Sequence, residues 1–313
     1  MVNNVTMSYR CDVRFSSRPT GELLLDLYRP ASASGAVPVI VWLHGGGWFT
    51  GDRTLAPDLQ ARADAIGAAI ASIEYRLSGQ ALFPAQIIDL RAAIRYLREQ
   101  AGELGVDPGR IGLWGSSAGG HLAALAGVTG HLTRWEGEDP SDTPVGVQAV
   151  MAAYPPVDLA MCVRDASAGR PEADPIGFPE SRVLGGLPAD LPELAASAGP
   201  LTYIDAARSL PPFQLAHGTA DVAVRMGNSV RLYEALHAAG ADAELYLLDG
   251  YKHGFLNPGG RMEAGLSAVM DDGRLEAAGT APARHLRDGV DTDAALFGFT
   301  TIDEFFRTHL GLA

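Results

Sequence analysis

Three residues of this chain could together carry out nucleophilic chemistry. They are Ser117, inside Gly115-Ser116-Ser117-Ala118-Gly119, then Asp221, then His253. A serine hydroxyl is a poor nucleophile near neutral pH. It needs a histidine to take its proton and a carboxylate to hold that histidine in the right tautomer. Ser117 stands midway between two glycines, as a tight strand-to-helix turn requires, because neighbouring backbone must pass close on either side. In a chain with 37 glycines the five-residue pattern decides little by itself.

The setting of the three residues decides more. Ile111 to Trp114 reads as a buried strand before the serine, and Ala118 to about Val128 as an alanine-rich helix after it. Asp221 follows the strand-like segment Pro212 to Ala216, and His253 follows the strand expected at Ala243 to Leu248. In open parallel sheets, sites form at the carboxyl ends of strands. Asp249 lies too close to His253 to come from an earlier strand end and ranks below Asp221. His44 and His217 are expected in turn or loop hydrogen bonds, and His121 as a structural partner one turn beyond Ser117.

Acyl transfer also requires N–H donors for the oxyanion of the tetrahedral intermediate. The residue after the nucleophile, Ala118, supplies one. His44-Gly45-Gly46-Gly47-Trp48-Phe49, at the end of the apolar run Val37 to Leu43, supplies Gly46 and Gly47. Trp48, Phe49 and Tyr154 are the candidate pocket residues, since clefts are mostly apolar and aromatic; ordinary packing remains open for each.

These residues must be positioned by strands alternating with helices. Strands are expected at Val5 to Arg14, Gly21 to Tyr28, Val37 to Leu43, Ala68 to Tyr75 and Val145 to Ala153, with a turn over Ser16 to Gly21. Helices are expected at Ala56 to Ile66, Pro84 to Gln100, Arg225 to Ala239 and Thr301 to Leu310. The result is an α/β chain, with a mostly parallel central sheet covered by helices on both faces. A single domain spanning residues 1–313 is expected. Residues 158–201 would form a lid or pocket insertion and residues 257–298 an extended insertion, with one weak helical candidate at Gly265 to Leu275.

Composition narrows the function class. A formal net charge of -13 argues against nucleic acid and anionic membranes, which need a basic surface. No apolar run reaches the roughly eighteen residues of a membrane span, and Met1 to Arg10 lacks the layout of a signal peptide, so a cytoplasmic location is expected. Cys11 and Cys162 fall in no metal-binding or disulfide pattern, so no metal and no cofactor is expected. Homo-oligomerisation is left open.

Several motifs in order resemble a known family. They are His44-Gly45-Gly46-Gly47-Trp48, Glu74-Tyr75-Arg76-Leu77, Phe83-Pro84-Ala85-Gln86, Gly115-Ser116-Ser117-Ala118-Gly119-Gly120-His121-Leu122, His217-Gly218-Thr219-Ala220-Asp221 and His253-Gly254-Phe255. Over roughly Ala36 to Phe255 the chain resembles the α/β-hydrolase carboxylesterases. The similarity is greatest to the bacterial feruloyl-esterase-like and carbohydrate-esterase-like branch, and more distant to hormone-sensitive-lipase-type esterases. The resemblance implies an α/β-hydrolase fold, a Ser117-Asp221-His253 triad and an oxyanion hole of Gly46, Gly47 and Ala118. Two departures bear on substrate preference: Ser116 stands where the lipase-type pattern has an acidic residue, and residues 257–298 are longer than the family leads one to expect.

The expected activity is hydrolysis of small or aryl carboxylic esters through an acyl-enzyme on Ser117. An arylformamidase or amidase using the same triad is the alternative, since kynurenine formamidases carry a similar H-G-G-x-W and G-x-S-x-G-x-H. A non-catalytic small-molecule-binding protein on a hydrolase scaffold is the reading from another class.

Overall fold

The computed structural model describes residues 8–260 and 268–312. In chain order the elements are β1 (Tyr9–Arg18), β2 (Gly21–Tyr28), β3 (Val37–Leu43), α1 (Leu59–Ile66), β4 (Ala69–Ile73), α2 (Ala85–Glu99), α3 (Ala101–Leu104), β5 (Val106–Ser116), α4 (Ala118–Val128) and β6 (Ala149–Ala153). They continue as α5 (Leu159–Gly169), α6 (Pro179–Leu184), α7 (Pro192–Ala198), β7 (Phe213–Gly218), α8 (Gly227–Ala238), β8 (Ala243–Leu248), α9 (Arg274–Ala278), β9 (Thr280–Arg287), β10 (Val290–Gly298) and α10 (Phe299–His309).

The strands form one sheet in the order β1-β2-β4-β3-β5-β6-β7-β8-β9-β10. Strands β4, β3, β5, β6, β7 and β8 run parallel, while β1, β2, β9 and β10 pair antiparallel at the two ends. This is the α/β-hydrolase arrangement.

The central strands are mostly apolar because both faces are covered, β3 and β6 without interruption. Along β3, Val39, Val41 and Leu43 pack with α2, α4 and α8, whereas Ile40 and Trp42 pack with α1 and α10. Period-two alternation sends successive side chains to opposite faces, so an uninterrupted apolar run marks a strand buried on both. On the α1/α10 side Trp42 meets Trp114 edge to face at 4.8 Å between centroids.

Local chemistry sets the boundaries. The expected Ala56 to Ile66 helix begins at Leu59, because the Asp58 carboxylate accepts from Ala61 N–H as a cap, and it ends where Gly67 turns left-handed at φ 82°. The first strand is Tyr9–Arg18, so the turn expected over Ser16 to Gly21 shrinks to its last residues. Register shifts between Arg10 and Val13 and between Arg14 and Ser16 spoil the alternation that would have marked the strand. Residues 5–7 of the expected strand lie outside the described residues.

The two expected insertions contain more regular structure than their composition suggests. Residues 158–201 hold α5, three turns long, and α6 and α7, both opened by proline and too brief to show helical periodicity. In 257–298, β9 and β10 extend the sheet as an antiparallel hairpin beside β8. Residues 265–267 of the expected Gly265 to Leu275 helix lie outside the described residues, and α9 begins only at Arg274.

Candidate active site

The sheet brings Ser117, Asp221 and His253 together from the carboxyl ends of β5, β7 and β8. His253 Nε2 lies 2.8 Å from Ser117 Oγ, and His253 Nδ1 lies 2.6 Å from Asp221 Oδ2. Ser117 sits on the turn between β5 and α4 at φ 54°, ψ -120°. The flanking glycines are required sterically: a Cβ on Gly115 would fall 2.2 Å from Gly119 O, and one on Gly119 would fall 2.1 Å from Leu43 O.

Asp221 is held by its own loop. Its Oδ1 accepts from the N–H groups of Ala223 and Val224, each at 2.9 Å. Its Oδ2 lies 3.3 Å from His217 Nε2 as well as beside His253. His217 Nε2 also donates to Val224 O at 2.7 Å, and since a carbonyl only accepts, that nitrogen carries hydrogen. Burial alone would push the Asp221 carboxyl up. Charge attraction to His253 and the hydrogen bonds from His217 and His253 outweigh it and hold the group well below the usual carboxylate range.

His253 is clasped from the far side. Asp271 N–H donates to His253 O at 2.7 Å, and the Asp271 carboxylate accepts from Lys252 N–H at 2.7 Å. Tyr154, left-handed at φ 40° and fully buried, presents its ring edge to the imidazole at 4.7 Å.

The glycine loop after β3 closes over the serine. Gly46 and Gly47 have φ 106° and 58°, and Gly46 O accepts from the N–H groups of Phe49 and Thr50. Among the described residues nothing accepts a hydrogen bond from the N–H of Gly46, Gly47 or Ala118. Ala118 is buried and Gly46 and Gly47 are half-buried beside Ser117, so these three N–H groups are left to an acceptor from outside the chain. The loop is anchored by Tyr75 OH donating to His44 O at 2.9 Å, by Ser78 N–H donating to Trp48 O at 2.7 Å, and by Arg53, which pairs with Asp12, Asp26 and Glu74.

The histidines set aside in the sequence have other partners. His44 Nδ1 lies 2.7 Å from Gly45 O, and His121 Nε2 lies 2.7 Å from Ala198 O. Burial pushes both down to about 4, so neither ring readily takes a proton.

A cavity of about 410 Å³ opens onto Ser117 and His253. Trp48, Phe49 and Tyr154 all line it. Trp48 is buried and meets His121 edge to face, whereas Phe49 is 36% exposed beneath the Arg182 guanidinium, 4.1 Å from its ring. The lining also includes Phe178, Pro179 and Glu180 of the 158–201 segment and Met270. The sequence singled out none of these four; a Phe-Pro-Glu helix start was the available signal. No group of three His, Cys, Asp or Glu side chains among the described residues could hold a metal ion. No helix among them is long and apolar enough to cross a membrane.

The BD-FAE family model matches residues 25–236. Esterase LipC of Mycobacterium tuberculosis is 32% identical over 236 residues, covering 74% of this chain and 57% of LipC. Esterase LipQ of the same organism is 34% identical, covering 72% of this chain and 52% of LipQ. The chain thus spans little more than half the length of these two relatives. A truncated carbohydrate esterase from gut microbiota superposes with a TM-score of 0.69 at 30% identity, covering 80% of this chain and 90% of that one. Native esterase 2 of Thermogutta terrifontis superposes at 0.63 with 26% identity, covering 88% and 91%.

Proposed function

The chain belongs to the BD-FAE family, and from that premise we propose that it is a serine carboxylesterase acting on small or aryl esters through an acyl-enzyme. The observation that carries the reading is the unbroken line from Ser117 Oγ to His253 Nε2 at 2.8 Å and from His253 Nδ1 to Asp221 at 2.6 Å.

Ser117 Oγ attacks the ester carbonyl carbon while its proton passes to His253 Nε2. The resulting imidazolium is stabilised by Asp221. The carbonyl oxygen, now an oxyanion, takes hydrogen bonds from the N–H groups of Gly46, Gly47 and Ala118, each such donor contributing about 10²- to 10³-fold in rate. His253 then returns the proton to the departing alcohol oxygen as the carbon–oxygen bond breaks. Water repeats the sequence in reverse: it gives its proton to His253, attacks the acyl carbon and releases Ser117 with the carboxylic acid.

The experiment is turnover of short p-nitrophenyl esters by wild type and Ser117→Ala, with labelling by a fluorophosphonate probe. The expected result is a fall in kcat of at least about 10³-fold, with no labelling of the variant. Equal rates in the two proteins refute the reading.

A further inference from the structure

Glu180 lies in the first turn of α6, within the 158–201 segment, and lines the same cavity as Ser117 and His253. Its residue exposure is 6%, yet among the described residues its carboxyl is in no ion pair and takes no hydrogen bond from another residue's side chain. The hydrogen-bond donor beside it is its own backbone N–H. Buried carboxyls are ordinarily paired, because an unpaired one loses its hydration with nothing to replace it. An exception in an apolar cleft marks a group held ready for a ligand.

The backbone that carries the carboxyl is held in place. Helix α6 is fastened to the body by Phe83 N–H donating to Val183 O at 2.9 Å. Pro179, the residue before Glu180, abuts the glycine loop closely enough that a Cβ on Gly47 would fall 3.0 Å from the proline side chain. The titratable groups near enough to bear on Glu180 are Arg170, at the end of α5, His253 and the buried Cys162. Arg170 is instead stacked over Phe178, 4.8 Å from its ring.

We propose that Glu180 is a specificity-determining residue that accepts a hydrogen bond from a hydroxyl or ammonium group of the substrate, so that the preferred esters carry such a donor near the scissile carbonyl. The inference rests on the ester-hydrolase reading of the site. Burial pushes the Glu180 carboxyl up to about 7, partly offset by its own backbone N–H, Arg170 and His253, which fits a group awaiting a partner that favours its ionised form.

The test is kcat/KM on matched esters. For the acyl half the pair is p-nitrophenyl 3-hydroxybutanoate and p-nitrophenyl butanoate. For the alcohol half, 2-hydroxyethyl acetate and 2-(dimethylamino)ethyl acetate are each compared with butyl acetate, at a pH that keeps the amine protonated. Wild type is expected to favour a donor-bearing ester by about tenfold or more on one half, the worth of one hydrogen bond to a charged group. In Glu180→Met that ratio is expected to collapse towards one. In Glu180→Gln, which keeps a neutral acceptor, an ammonium preference is lost and a hydroxyl preference falls but persists.

Because the readout is a ratio between matched substrates in one protein, a general loss of folding or turnover cancels. If Glu180→Met does not fold, Glu180→Gln decides alone. A ratio unchanged in the folded variants, or a wild type that hydrolyses the alkyl esters with no donor preference on either half, overturns the proposal while leaving the esterase reading intact. Absence of turnover on every ester overturns the esterase reading itself.

Discussion

The Asp221→Asn substitution tests the candidate triad through a proton position. Asp221 Oδ1 accepts from two backbone N–H groups, Ala223 and Val224, both at 2.9 Å. Those donors cannot reverse, so the amide keeps its oxygen on them and directs its NH₂ group at His253 Nδ1, where Oδ2 stood 2.6 Å away. Facing a donor, Nδ1 must accept, and the ring hydrogen moves to Nε2. Nε2 is the atom 2.8 Å from Ser117 Oγ, and once protonated it cannot take the serine proton. In serine-histidine-aspartate sites the wrong tautomer lowers kcat by about 10⁴, or about 5 kcal/mol of transition-state stabilisation. The assay is kcat and KM for p-nitrophenyl acetate at neutral pH, with thermal unfolding as the control. KM should change little, since the ground-state pocket is untouched. A folded variant whose kcat stays within about tenfold of wild type refutes both the tautomer argument and the role given to Asp221.

Two further predictions concern stability. Glu138 is buried with Arg91, whose Nε lies 2.8 Å away, and it also bonds Arg95; Glu138→Ala strands two guanidiniums and should cost about 3–5 kcal/mol in denaturant unfolding. Burial alone would raise the Glu138 carboxyl, but Arg91, Trp135 N–H and Arg95 hold it low, so its contribution is complete above the ordinary value of about 4.3 and fades as pH falls through the lower folded value. The gap between wild type and variant should therefore narrow in acid, and a gap independent of pH contradicts the assignment. Gly119→Ala would set a methyl 2.1 Å from Leu43 O, forcing α4 away from β3; a loss of about 3 kcal/mol or more and of turnover is expected, and a variant as stable as wild type would show the approach to be looser than described.

Ser117 was legible because the constraint on its turn is steric and leaves glycines on both sides. Asp221 and His253 were legible because each follows a strand that is buried on both faces and mostly apolar, interrupted only by Gln214 and His217 in one and Glu244 in the other. Glu180 was not, since a lone carboxyl in a segment of short proline-opened helices looks like surface until tertiary packing buries it. The strands Thr280–Arg287 and Val290–Gly298 escaped for the opposite reason: at the sheet's end much of the hairpin is solvent-exposed, and its Arg and Asp residues hide the alternation. Phe49 lines the cavity, but its cover by Arg182 needed the fold of α6.

The backbone of Ser117, at φ 54° and ψ -120°, lies where side chains of any kind are disfavoured, at a cost of about 1–3 kcal/mol. A chain shaped for durability alone would carry glycine there, and the packing of β5, α4 and the glycine loop would accept it. Stability and reactivity therefore pull in opposite directions at one position. Variants selected only for heat resistance are apt to drift towards an inert protein, and screens that do not demand turnover will reward that drift.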